Sequence, residues 1–293
     1  MPIKLIAAYK TDVGKQREQN EDNAYYMIGK DGDRGLFIVA DGMGGYQAGE
    51  VASKLAVQKI SEVLQSFLSP VEEQPTIKLT PVDPDETIKL ESMKPEQMFS
   101  KEKTRKLAET PLATNMEDQL IAAIQQANKA IIRYGEQQAG ARGLGCTVTT
   151  ALIQGDKAYV ANIGDSRTYR LRNGELTPLT KDHSLVARLL EARQIEPEDV
   201  YSHPQRNLIY RSLGANRKTV EPDVFHDTLQ PGDRLLLCSD GLWEMVRPQE
   251  LLHALSADDS PEHICDKLIN MANASGGEDN ITALVVFVSA GNA

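Results

Sequence analysis

Apolar residues along this chain follow two kinds of pattern. Short runs that are continuous or β-branched and end at turn residues read as strands: Leu36–Ala40, Thr147–Ile153, Ala158–Ile163, Arg167–Leu171, Arg234–Cys238 and Ile281–Val288. Gln154-Gly155-Asp156 separates the second from the third, and Asn173-Gly174 offers two residues that tolerate the positive φ angles of a type I′ turn, so antiparallel pairing is expected. Spacing of three and four residues marks the other kind. It runs through Ala48–Phe67 and through Met116–Gln137, where Leu120, Ile121, Ile124, Ala127 and Ile131 recur on one helical face. A third helix is predicted from Ser260, an N-cap serine, with Pro261 in the first helical position and Ile264, Leu268 and Ile269 along one side.

Strands and helices come in blocks, which favours an α+β class with helices covering antiparallel sheets over a doubly wound parallel sheet. Between the first two helices the sequence changes character. Residues 69–115 hold Pro70, Pro75, Pro81, Pro84, Pro95 and Pro111 among many Glu and Lys, with no sustained periodicity. This stretch is expected to be a mobile insertion in a single domain spanning residues 1–293.

At 293 residues, 41% of them hydrophobic, the chain is long enough to bury a large core. Its net charge of −10 argues against nucleic acid as a partner and suits the binding of cations. No apolar run approaches the ~20 residues of a membrane helix. The opening Met1–Ala8 stretch is too short for a secretion signal and is soon interrupted by Lys10 and Asp12, so a cytoplasmic protein with no membrane association is expected. Cys146, Cys238 and Cys265 are odd in number and far apart, and read as reduced packing residues.

The chemistry lies in acidic residues at the ends of apolar runs. Leu36-Phe37-Ile38-Val39-Ala40 and Leu235-Leu236-Leu237-Cys238-Ser239 each deliver an aspartate followed by glycine, Asp41-Gly42 and Asp240-Gly241. Glycine there lets the chain turn sharply and brings a carbonyl near whatever the carboxylate binds. One Asp-Gly after a strand is ordinarily a plain turn. Here it is joined by Arg17-Glu18-Gln19-Asn20-Glu21-Asp22, by Gly164-Asp165-Ser166-Arg167 and by Gly276-Gly277-Glu278-Asp279-Asn280. If these carboxylates converge, their repulsion calls for hard divalent cations such as Mg²⁺ or Mn²⁺, which prefer oxygen ligands. Spacing alone does not establish that they do.

The ordered set Arg17…Asn20-Glu21-Asp22, Val39-Ala40-Asp41-Gly42-Met43-Gly44-Gly45, Gly145-Cys146-Thr147, Asn162-Ile163-Gly164-Asp165-Ser166-Arg167, Cys238-Ser239-Asp240-Gly241 and Gly277-Glu278-Asp279-Asn280 resembles the complete motif series of bacterial PPM phosphatases, the type 2C class. The resemblance covers nearly the whole chain. It implies a four-layer α-β-β-α sandwich, two antiparallel sheets flanked by helices, with a two-metal site at one end. It further implies that Asp41 bridges two Mg or Mn ions, that Asp240 and Asp279 bind one of them, and that the Gly42 carbonyl serves the other, with water in the remaining positions. Asp22 matches a further metal-site carboxylate, with Glu21 a second candidate beside it. Asp165 matches the ligand of a third, looser ion, the plain alternative being a turn aspartate bonded to Arg167. Arg17 corresponds to the residue that grips the substrate phosphate, a task suited to a planar guanidinium. Asn280 is expected to hold Asp279 by side-chain hydrogen bonding, and Trp243 to pack beside the Asp240 strand.

The implied activity is that of a protein serine/threonine phosphatase hydrolysing phosphoserine and phosphothreonine by direct attack of a metal-bridging hydroxide. The implied partners are phosphorylated proteins, substrates of bacterial serine/threonine kinases, met by a monomeric enzyme. Eukaryotic relatives carry a histidine just after the Asp-Gly turn, where this chain has Met43, so the leaving-group proton needs another source: a metal-bound water or His183. His183 precedes a region, up to Gly214, that resembles the flap of bacterial members. Two other readings stand beside this one, a phosphatase of small metabolites and a catalytically silent phosphate-binding module; the presence of every expected ligand counts against the latter.

Overall fold

The structure, a computed structural model, describes residues 2–44, 48–68, 115–138, 143–215 and 219–291. Two five-stranded sheets carry it, antiparallel at every pairing. In spatial order the first holds β1 (Ile3–Asp12), β13 (Ile281–Ala290), β12 (Arg234–Cys238), β8 (Arg167–Arg172) and β9 (Glu175–Pro178). The second holds β11 (Asp223–Thr228), β7 (Lys157–Ile163), β6 (Val148–Gln154), β3 (Arg34–Ala40) and β2 (Asn23–Ile28). A small sheet of β10 (Leu213–Gly214), β5 (Gly145–Cys146) and β4 (Gly42–Met43) continues from the end of β3.

Continuous apolar strands form here because both faces are buried. Phe37 and Val39 point between the sheets, where they meet Leu235, Leu237, Leu284 and Val286. Their neighbours Leu36, Ile38 and Ala40 point the other way, onto Ile60 and Leu64 of α1 (Ala48–Leu68) and Ile124 and Ile131 of α2 (Met116–Gln137). On the opposite sheet Leu236, Cys238, Ala283 and Val285 turn outward onto α5 (Pro248–Leu255) and α6 (Pro261–Ala274). The layers therefore run helix, sheet, sheet, helix, and each of the Val, Leu, Ile and Phe side chains contributes about 1.5–3 kcal/mol by leaving water.

The helix signals hold to the residue at two ends. Asn115 caps α2 by accepting from the Asp118 amide at 2.8 Å, and Ser260 caps α6 by accepting from His263 at 3.3 Å, with Pro261 first in the helix. Asn173 and Gly174 take φ of 51° and 78°, the two positive angles of the predicted tight turn. Several elements went unpredicted: β1, where buried Ile3, Leu5 and Ala7 alternate with Lys4 and Ile6; the polar edge strands β9 and β11; and the helices α3 (Leu185–Glu191), α4 (Asp240–Trp243) and α5. The expected insertion at 69–115 lies outside the described residues, apart from Asn115. Cys146, Cys238 and Cys265 are buried free thiols. Among the described residues no helix is long and apolar enough to cross a membrane.

Candidate functional site

Strand register brings the acidic motifs together. In the first sheet Cys238 pairs with Ala283 and with Arg167, and Asp12 with Ile281, so the end of β12, the starts of β13 and β8 and the end of β1 share one edge. In the second, Ala40 pairs with Asn23, and Ile163 with Val148, which gathers the end of β3, the start of β2 and the end of β7 at the corresponding edge. Asp279, Asp165, Asp41, Asp22 and Arg17 occupy the loops at that end, and Asp240 opens α4 beside them. Arg17, Glu21, Asp41, Gly42, Asp165, Asp240 and Asp279 line one cavity of about 250 Å³. Asp22 is not among its walls. It lies buried close by, accepting from Ser239 Oγ and Thr282 Oγ1, both at 2.7 Å.

The cavity is strongly acidic. Burial, then the charges of Asp240 and Asp22, holds the Asp41 carboxyl well above the usual carboxylate range. Burial pushes Asp22 up to about 8, and burial with the charges of Asp279 and Glu244 pushes Asp240 up to about 7. Asp165 is raised for the same reasons, burial first and then Asp240. Asp22 Oδ1 and Asp240 Oδ1 are buried without any hydrogen-bond partner. Orphaned, hard oxygen donors in a cavity that ionises reluctantly are what a divalent cation relieves, so the residues present fit Mg²⁺ or Mn²⁺. Among the described residues no three carboxylate, imidazole or thiolate groups by themselves form a coordination shell. The Gly42 carbonyl and water would complete one.

Both Asp-Gly glycines sit where backbone passes close by. A Cβ on Gly42 would lie 2.3 Å from the Gly49 carbonyl oxygen, and one on Gly241 2.1 Å from that of Asn280. Neither adopts a positive φ, so close approach, rather than the expected sharp turn, is what requires glycine. Arg17 donates to Asp279 Oδ2 at 2.7 Å across the mouth of the cavity. Burial, the largest influence, raises the Glu21 carboxyl above its ordinary range, against the lowering effect of the backbone at Gly49 in the first turn of α1.

One expectation needs correction, and two of the alternatives find no support. Asn280 holds Asp279 through its backbone N–H, at 2.8 Å, while its side chain accepts from Glu21 N and donates to Val13 O and Gln19 O, fastening the loop that bears Arg17. Arg167 does not bond Asp165: its guanidinium forks onto Asp182, at 2.7 to 3.1 Å, and reaches the Tyr169 hydroxyl. His183 is only 2% exposed and does not line the cavity, so its placement gives no support to the reading of it as proton donor. Trp243 packs in the core as expected but also donates to the Asp165 carbonyl at 2.9 Å, with Arg167 stacked 3.4 Å from its ring centre. Sequence reading assigned no role to Thr147, Asn207 or Ile209, which with Met43 and Gly44 complete the wall, nor to Ser239 and Thr282, which hold Asp22. Thr147 stood within a motif; Asn207 and Ile209 gave no signal, because only the return of the flap brings them to the cavity.

The family model described as Protein phosphatase 2C matches residues 86–281. The serine/threonine phosphatase stp of Listeria monocytogenes is 38% identical over 282 residues, covering 96% of this chain and 95% of that protein. The crystal structure of the Mycobacterium tuberculosis serine/threonine phosphatase PstP/Ppp superposes with a TM-score of 0.74 at 33% identity, over 97% of this chain and 99% of that one. A structure of the PstP catalytic domain in complex with two manganese ions superposes with a TM-score of 0.73 at 31% identity, over 98% and 99% of the two chains.

Proposed function

Because the chain belongs to the protein phosphatase 2C family, we propose that it is a metal-dependent serine/threonine protein phosphatase, releasing phosphate from phosphoserine and phosphothreonine in other proteins. The observation that carries the proposal is the meeting of Arg17, Asp41, Asp165, Asp240 and Asp279, from five separate segments, in one cavity. Asp41, Asp240, Asp279 and the Gly42 carbonyl would hold a pair of Mn or Mg ions, with Asp22 behind them and Asp165 serving a third. Bound there, the ions supply an activated water and offset charge on the phosphoryl oxygens.

The chain's own residues do the rest. The Arg17 guanidinium, which here donates to Asp279, exchanges that carboxylate for two phosphate oxygens when substrate enters. Asn280 keeps the Arg17 loop at the required distance. Met43 carries no proton and the described lining holds neither histidine nor lysine, so cavity water protonates the departing serine or threonine oxygen. Asn207 and Ile209, at the wall, meet the protein part of the substrate, which favours phosphoproteins, such as those made by bacterial serine/threonine kinases, over small metabolites.

The test is hydrolysis of a phosphothreonine peptide, p-nitrophenyl phosphate and a sugar phosphate by purified protein, with Mn²⁺ and with EDTA. Mn²⁺-dependent turnover with the highest kcat/KM on the peptide is expected. No turnover on any substrate overturns the proposal, and preference for the sugar phosphate makes the protein a metabolite phosphatase.

A further inference from the structure

His183, withdrawn from the cavity, stands where two functional parts of the molecule meet. Its backbone and ring clasp Gly164 twice: the His183 N–H donates to Gly164 O at 2.8 Å, and Nδ1 accepts the Gly164 N–H at 3.1 Å. Since Nδ1 accepts, the ring proton sits on Nε2, which lies 3.1 Å from Asp223 Oδ2 and donates to it. Arg211 closes the group by donating to Asp223 Oδ1 at 2.6 Å. The Tyr210 ring packs 5.7 Å from the imidazole, and the Tyr210 amide donates to the His183 carbonyl at 2.8 Å.

Each side of the ring therefore serves a different structure. The Nδ1 side grips a turn that cannot adjust by itself. Gly164 has φ +104°, and a Cβ there would lie 2.5 Å from the Thr147 side chain. The next residue is Asp165. The Nε2 side bonds Asp223, the first residue of β11, and through that carboxylate meets Arg211, which lies in the returning end of the flap two residues after Ile209 enters the cavity wall. We propose that His183 is a positioning residue that fixes the Asp165 turn through Nδ1 and, separately, the substrate-facing end of the flap through Nε2.

The inference rests on the reading of Asp165 as a cation ligand and of Asn207 and Ile209 as substrate contacts. Two variants divide the ring. In His183→Asn the amide oxygen takes the place of Nδ1 and nothing reaches Asp223; in His183→Gln the longer amide reaches Asp223 and Gly164 N–H loses its acceptor. One such hydrogen bond is worth roughly a fivefold change in a local equilibrium. In His183→Gln, amide hydrogen exchange at Gly164 in the metal-free protein should quicken about fivefold, and the Mn²⁺ concentration for half-maximal p-nitrophenyl phosphate turnover should rise by a similar factor, with phosphopeptide KM near wild type. In His183→Asn, Gly164 should stay protected and the Mn²⁺ demand unchanged, while KM for the phosphopeptide rises about fivefold. Identical profiles in the two variants, or changes that only follow a fall in Tm, overturn the proposal. A wild-type protein without Mn²⁺-dependent turnover would sink the functional reading instead, and Gly164 exchange would still decide whether Nδ1 holds the turn.

Discussion

The two Asp-Gly pairs at the ends of β3 and β12 read alike in the sequence and continue differently in space. After Asp41 the chain runs on as β4 and pairs with β5. After Asp240, with Ser239 in the N-cap position, it winds into α4. What the pairs share is lateral crowding: Gly42 lies against Gly49 and Glu21, Gly241 against Asn280 and Asp279. The dipeptide thus brings a carboxylate to a place where another backbone passes within touching distance, and the partners beyond it set the direction of the chain. The same side-chain charge meets a similar setting at both sites, since burial raises both carboxyls.

If both aspartates act on the same ions, the largest effects will be equal. Asp41→Asn and Asp240→Asn should each lower Mn²⁺-dependent hydrolysis by at least ~10³-fold in a folded protein. Activity within tenfold of wild type in either variant would remove that residue from the centre. The glycines test the crowding. Gly42→Ala and Gly241→Ala should each cost about 3 kcal/mol or more in urea unfolding, because the new methyl meets backbone, whereas Gly174→Ala, with nothing within 4 Å of its Cβ, should cost only about 1 kcal/mol for its positive φ. Equal costs at Gly174 and Gly241 would show that the neighbours give way.

The raised carboxyls predict a pH dependence of definite sign. Asp22, at about 8, and Asp240, at about 7, bind protons more tightly folded than unfolded, where the ordinary value is 3.8. The folded state then holds more protons between those values, so metal-free stability is greatest in acid and falls as pH rises toward 8. Thermal melts in EDTA should show Tm declining by several degrees from pH 5 to pH 8.5, and saturating Mn²⁺ should flatten that slope. A metal-free Tm that rises over this range would contradict the burial of these groups as acids. A smaller change is expected at the rim. Arg17→Ala should raise KM about tenfold with a lesser fall in kcat, since the residue binds phosphate in ground and transition states alike. An unchanged KM would return Arg17 to a surface role.

The smallest effect concerns residues 69–114, which we propose as an insertion without a part in the chemistry. Their prolines and mixed charges offer little apolar area to offset ordering entropy. Joining Leu68 to Asn115 by a short Gly/Ser linker should leave Tm and p-nitrophenyl phosphate turnover as they were, because closure entropy varies slowly with length. Loss of either would assign the segment a place on the core.

The sequence foretold those elements whose signal is local. Both long helices and all six apolar strands were legible because caps, tight-turn dipeptides and two-sided burial leave marks within a few residues of the element itself. Edge strands left none. β11, Asp223–Thr228, is half polar because one side faces solvent, and its pairing with β7 becomes visible only in three dimensions. The site divides in the same way. Aspartates at strand ends could be named in advance, whereas the Asn280 side chain tying Val13 and Gln19, the Ser239 and Thr282 hydroxyls on Asp22, and the retreat of His183 from the cavity all depend on residues far apart in the chain.

The indole of Trp243 has a consequence of another kind. It is the only tryptophan in the chain, its N–H is bound to the carbonyl of Asp165, and a guanidinium lies over its ring. The protein thus carries an intrinsic fluorophore wired to one carboxylate loop of its acidic end. Its emission colour registers the polarity around the Asp165 turn and its intensity the seating of Arg167, so the ion uptake proposed there can be tested by light, with no label and no turnover.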